Sequence, residues 1–123
     1  MRKLDLISMS LEAVINRYIE LSVQQGEANE DDDVSRYNRL YKKLGVIDAE
    51  LRSRGPSARL ALTALFTHPN KQVRLNAATE SLAIAPDEAR AVLQKFRETR
   101  VGPYCLDAGM TIVNLDNGVF KPA

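Results

Sequence analysis

The sequence predicts an all-α fold, with about six helices stacked as antiparallel hairpins into a short solenoid. Three observations carry this expectation. No segment alternates polar and apolar residues at period two, so strands are not expected. Proline and glycine breaks cut the chain into stretches whose apolar residues recur at helical spacing. The third observation is an internal repeat. Shifted by 31 residues, Ala58-Arg59 falls on Ala89-Arg90, Leu65 on Phe96, Leu75 on Leu106, Ala77-Ala78 on Ala108-Gly109, and Leu82 on Val113. The 123 residues are expected to form one domain. Residues 1–55 read as an atypical capping helix pair, and 56–85 and 86–118 as two repeat hairpins.

The first helix should start at Ser10, a favourable N-cap, and run to Gln25 before Gly26. Leu11, Val14, Ile15, Tyr18, Ile19 and Leu21 share one arc of about 160°, giving a single buried face. An acidic run, Glu27 to Asp33, should then meet the positive end of a second helix spanning Glu30 to Arg54. Its apolar stripe is Val34, Tyr37, Leu40, Tyr41, Leu44, Ile47 and Leu51, and Asp48 interrupts it. Gly55-Pro56-Ser57 opens a third helix that stops at His68-Pro69.

The fourth helix, from Lys71, is the centre of the fold. Val73, Ala77 and Ile84 lie at about 200–240° around it, and Leu75, Ala78 and Leu82 at about 340–40°. Two apolar flanks mean packing on both sides, and the alanines allow close approach. Ala85-Pro86 begins a fifth helix with Ala89, Val92, Leu93 and Phe96 on its buried face. Gly102-Pro103 begins a sixth, carrying Leu106, Met110, Val113 and Leu115. Asp116-Asn117-Gly118 is a turn, and Val119–Ala123 a tail.

Composition narrows the function. Apolar content of 45% and charged content of 27% are ordinary for a globular chain, and the net charge of +1 gives no general attraction to nucleic acid or anionic lipid. No apolar run approaches the roughly 20 residues that span a bilayer, and Asp5 and Glu12 interrupt any leader-like stretch after Met1-Arg2-Lys3. The single cysteine, Cys105, suits a reducing cytoplasm, where the protein is expected.

Catalytic chemistry finds little support. His68 is the only histidine, sits in a turn before Pro69, and has no ligand cluster around it in sequence. Cys105 aligns with Arg74 in the repeat and reads as a small packed hydrophobe. No phosphate-binding glycine loop, HExxH or Gly-x-Ser-x-Gly occurs. Neither enzyme activity, metal nor cofactor is expected. Arg36, Arg39, Lys42 and Lys43 interleave with Tyr37 and Tyr41, but on the helical wheel the basic and aromatic residues face opposite ways, which argues against a nucleic-acid surface. Arg36, Arg39, Lys43, His68 and Asn70 are the candidate interaction surface.

Two charges break their own patterns. Asp48 lies in the apolar stripe of the second helix, and Arg74 lies between the flanks of the fourth. A lone buried charge costs several kcal/mol, so each should have a partner. The expectation is a structural ion pair, Asp48 with Arg74, clamping the second helix to the repeat core. The alternative for Asp48 is a local pair with Arg52.

Pro69-x-x-x-Val73-Arg74-x-x-Ala77-Ala78-x-x-x-Leu82 resembles the second helix of a HEAT-type repeat. More narrowly, the chain is similar to a bacterial family known as domain of unknown function 2019. Tyr37-Asn38-Arg39-Leu40-Tyr41, His68-Pro69-Asn70 with Gln72-Val73-Arg74, Ala85-Pro86 with Glu88-Ala89-Arg90, and Ala108-Gly109-Met110 with Gly118 and Lys121-Pro122 carry the likeness. The resemblance implies a HEAT-like α-solenoid of the HEAT/armadillo class and no established activity. The expected function is a protein-interaction module, of adaptor or immunity type, that binds an unidentified protein partner. The alternative is a nucleic-acid-binding HEAT-like protein.

Overall fold

The computed structural model describes residues 3–100 and 102–123, so the Met1-Arg2 start lies outside the described residues. The described residues form helices and connecting turns, with no strand among them. A short α1 (Lys3–Ile7), absent from the sequence reading, precedes α2 (Leu11–Glu30) and α3 (Val34–Ser53). After them come α4 (Pro56–Leu60), a 3₁₀ segment (Ala61–Thr67), α5 (Lys71–Glu80), α6 (Pro86–Thr99) and α7 (Gly102–Asp116). Helix α2 packs along α3 and α6 along α7. Helix α5 lies between, touching α2, the 3₁₀ segment, α6 and α7.

Local chemistry sets most boundaries. The Ser10 side chain accepts the Ala13 N–H at the start of α2, Asp33 accepts that of Arg36 at the start of α3, and Asn70 that of Val73 at the start of α5. Each satisfies a backbone donor that a helix N-terminus leaves free. Pro86 occupies the first turn of α6, where its missing N–H costs nothing. Beyond Leu60 the chain tightens to 3₁₀ winding, which puts Leu62 and Leu65, three residues apart, together in the core.

Three expectations about the elements need correction. Helix α2 does not end before Gly26 but runs to Glu30. Gly26 is there for close approach: a Cβ on it would stand 2.9 Å from Cβ of Gln72. The acidic run is consequently divided. Glu27 and Glu30 lie in the last turn of α2, where the helix dipole disfavours them, and only Asp33 caps α3. Local donors compensate: Arg36 donates to Glu27 at 3.2 Å, and Tyr104 Oη to Glu30 at 3.1 Å. In α7 the buried stripe is Tyr104, Ala108 and Ile112, whereas Leu106, Met110 and Val113 are 73, 60 and 43% exposed.

The core divides where the central helix predicted. Val73 and Ala77 join a cluster with Leu6, Val14, Tyr18, Leu40, Ile47, Leu51 and Leu62. Leu75, Ala78 and Leu82 join a second, with Ala89, Leu93, Phe96, Tyr104, Ala108 and Ile112. Phe66 packs against both. Burying each large side chain contributes about 1.5–3 kcal/mol, so α5, together with Phe66, fastens the two halves. The sequence repeat does not carry over to burial: Leu75 and Leu82 are buried, while their counterparts Leu106 and Val113 face solvent. Helix α5 has neighbours on two sides, whereas α7 packs mainly toward α6 and α5 and reaches α2 through Tyr104.

Arg54 ties α1 down. It donates to Glu50 at 2.7 Å and to the carbonyls of Leu6 and Met9 at 2.7 and 2.8 Å. At the other end Phe120 packs on the second cluster, and Arg59 donates to the Ala123 carbonyl at 2.8 Å.

Candidate functional site

Polar side chains of α2 and α5 meet in a chain of amides. Asn29 donates to Gln72 at 3.4 Å and Gln72 to Asn76 at 2.9 Å. Asn76 in turn donates to Ser22 at 3.0 Å and to Gln25 at 2.8 Å. The polar arc of α5 is thus used against α2, with its amides paired as buried polar groups must be. Next to this network opens a groove of about 460 Å³. Its floor is Tyr18 and Gln25 of α2. One wall is α3, with Tyr37, Tyr41, Leu44, Gly45, Asp48 and Arg52. The other side is Leu75, Asn76, Thr79 and Glu80 of α5, Asp107 and Thr111 of α7, and Phe120.

Charge in the groove is unevenly answered. Glu80 accepts two bonds from Arg52, at 2.9 and 3.1 Å, and Arg59 lies 3.9 Å away. Asp48 and Asp107 have no ion-pair partner among the described residues. Oδ1 of Asp48 is buried without a hydrogen bond. Burial, and then Glu80, push this carboxyl up from 3.8 to about 8, against the smaller pull of Arg52 and Arg59. Desolvation by the groove wall also raises Asp107, which keeps one side open to solvent.

The tyrosines respond to the same field. Tyr18, only 1% exposed, is raised well above its ordinary value by burial and then by Asp48 and Glu80. Its hydroxyl makes no hydrogen bond among the described residues, and the side chain lines the groove. Tyr37 is raised by burial, then by Asp107 and Tyr41.

The expected pair of Asp48 with Arg74 does not form. Arg74 donates to the carbonyls of His68 and Pro69 at 2.8 and 3.1 Å and lies 5.3 Å over the Phe96 ring. It is satisfied by its own turn and an aromatic face, and needs no carboxylate. Asp48 instead faces Glu80, Arg52 and Arg59, with no hydrogen bond to Arg52, whose guanidinium is taken by Glu80. Glu80 itself is 13% exposed at its side chain and doubly held by Arg52.

None of Arg36, Arg39, Lys43, His68 and Asn70 lines the groove. Arg36 is paired with Glu27, and Arg39 and Lys43 are exposed on α3. His68 Nδ1 accepts the Asn70 N–H at 3.0 Å, and Asn70 caps α5, so both residues serve the turn. Cys105 is half-buried and directs Sγ to the Arg97 carbonyl at 3.4 Å. The sequence reading missed Tyr18, Gln25, Thr79, Asp107 and Thr111 as groove residues. The available signal was Asp48 itself, a carboxylate on an apolar stripe with two tyrosines beside it.

Among the described residues no three His, Cys, Asp or Glu side chains gather as a metal site, and no helix is long and apolar enough to cross a membrane. A family model described as a domain of unknown function (DUF2019) matches residues 12–116. The chain is similar to the crystal structure of the protein RPA1889 from Rhodopseudomonas palustris. Identity is 38% with a TM-score of 0.88, over 94% of this chain and 96% of that one. No curated protein matches the chain.

Proposed function

The chain belongs to the DUF2019 family of domains of unknown function, and from that premise we propose that it is a protein-interaction module whose binding site is the groove between α3, α5 and α7. In this reading the helices form a short HEAT-like solenoid, with 1–55 as the capping pair and 56–85 and 86–118 as the repeat hairpins. The burial of α5 on both flanks supports that arrangement. The role is binding rather than catalysis, in a cytoplasmic protein of adaptor or immunity type.

The observation that carries the proposal is the groove. Its volume of about 460 Å³ lies in the size range of ligand sites, and its lining combines apolar walls with a few convergent polar groups. Nucleic acid is the weaker occupant. A phosphate backbone needs cations, and the carboxylates of Asp48 and Asp107 stand there unpaired.

Gly45→Trp tests the reading. Gly45 lines the groove, and a Cβ on it meets nothing within 4 Å, so an indole fills the space without clashing at its root. The variant is expected to keep its helical signal and urea midpoint while losing the protein that the wild type retains in pull-downs. A partner retained equally by a folded Gly45→Trp protein overturns the assignment of the groove.

A further inference from the structure

We infer that the groove is selective for a cationic side chain, and that its occupant is a lysine or arginine presented by a basic segment of the partner protein. The inference rests on the groove being the binding site and names the chemistry that site selects.

Two independent observations carry it. The first is the charge balance. Arg52 and Arg59 already answer Glu80, so the carboxylates left without a cation are Asp48 on α3 and Asp107 on α7, on opposite sides of the groove. A cation entering between them meets a carboxyl on each side, the one on Asp48 giving up its proton as the cation arrives. The second is the floor. Tyr18 is 1% exposed and lines the groove, yet its hydroxyl has no protein partner among the described residues. The side chain is enclosed but its hydroxyl is reached from the groove, so that oxygen is free to bond a ligand's polar group.

Around these stand Tyr37 and Tyr41, whose ring faces attract an ammonium or guanidinium. A long basic side chain matches the whole lining, with its aliphatic stem against Leu44, Leu75 and the rings and its charged end toward Asp48.

Occupation has a consequence for protons. Asp48 faces Glu80 from α5, Arg52 from its own helix, Arg59 from α4 and Tyr18 from α2, with Asp107 across the groove on α7. In the empty groove this carboxyl holds its proton up to about pH 8. An incoming cation favours the carboxylate and releases that proton. Affinity therefore rises as pH rises toward 8, by up to about tenfold per unit while the free groove is protonated.

The test titrates the ¹⁵N-labelled full chain with a Gly-Ser peptide carrying three spaced lysines and follows the amides of Tyr37, Gly45, Asn76 and Thr111. A peptide of the same sequence with every lysine acetylated, and spermidine, are run beside it at pH 6 and pH 8. The expected result is groove-specific shifts with the lysine peptide, weakened at least tenfold by acetylation, stronger at pH 8 than at pH 6, with spermidine the weaker ligand. Asp48→Asn should weaken binding at least tenfold at pH 8 and abolish its pH dependence. Asp107→Asn, a change at an exposed position, should weaken it without disturbing the fold. Equal groove shifts with acetylated and free lysine overturn the cation selectivity and leave the groove as a binding site. Tighter binding of spermidine overturns the peptide as occupant. Absence of groove shifts with every ligand, in a chain whose partner is nonetheless lost on Gly45→Trp, also overturns the inference and leaves the proposed function standing.

Discussion

Asp48 is held in the fold against its own charge, and replacing it by asparagine should make the protein more stable at neutral pH. Its carboxyl titrates near 3.8 when unfolded and at about 8 in the folded chain. Between those values the folded chain keeps a proton that the unfolded chain has released. Stability therefore falls as pH rises, by about 1.4 kcal/mol per unit. The penalty is absent below about pH 4 and complete above about pH 8. From pH 5 to pH 7 it amounts to about 3 kcal/mol, and water reaching the groove lowers this toward about 2. Asparagine keeps the shape and cannot titrate. Whatever constant offset its amide introduces beside Arg52 and Arg59, the stability of Asp48→Asn minus that of wild type should grow by about 2–3 kcal/mol between pH 5 and pH 7. Urea denaturation of both proteins at pH 5, 6 and 7 measures the difference. A difference that stays constant across the series shows that Asp48 titrates alike in both states, and the account of the groove's electrostatics fails with it.

Three further outcomes are expected. Gly26→Ala should destabilise by about 1–3 kcal/mol in urea even though alanine is the better helix former, because its Cβ meets the Gln72 Cβ at 2.9 Å. Ala78→Leu should cost about 1–3 kcal/mol and Ala83→Leu almost nothing, since Ala78 is fully enclosed in the second cluster and Ala83 is exposed; equal midpoints would place the buried face wrongly. Arg54→Ala should cost about 3–5 kcal/mol by leaving the buried Glu50 unpaired, and should speed amide exchange in α1 by removing the bonds to Leu6 and Met9; unchanged exchange there would mean α1 is held by other contacts.

The central helix was legible because its information is local. Val73 and Ala77 on one flank, and Leu75, Ala78 and Leu82 on the other, are fixed by the 3.6-residue period alone, and the two clusters follow those flanks. The helix starts at Ser10 and Pro86 were legible for the same reason. What failed depends on the third dimension. A helical wheel gives the direction in which Asp48 and Arg74 leave their helices, not the neighbours they meet. Arg74 found two carbonyls and Phe96 within reach of its own turn. Gly26 reads as a helix end from sequence, but as a contact point once Gln72 lies against it. In α7 the large residues Leu106 and Met110 suggested the buried side. The choice fell instead to Tyr104, Ala108 and Ile112, because small Ala108 lets the helix settle close to its neighbours. The groove was only half visible. Asp48 broke its stripe in sequence, yet its company of Tyr18, Glu80 and Asp107 comes from three other helices.

That the groove is where a partner binds is tested most directly by placing a photo-crosslinking amino acid at Tyr41, on the groove wall, and separately at Lys95, exposed on α6 away from it. Irradiation of living cells, followed by mass spectrometry of the adducts, reports what touches each position. The account predicts a discrete adduct from Tyr41 whose crosslinked peptide is a lysine- or arginine-bearing segment, lost when Gly45→Trp is added, with no such adduct from Lys95. The same adduct from both positions, or an adduct from Tyr41 that survives Gly45→Trp, contradicts it.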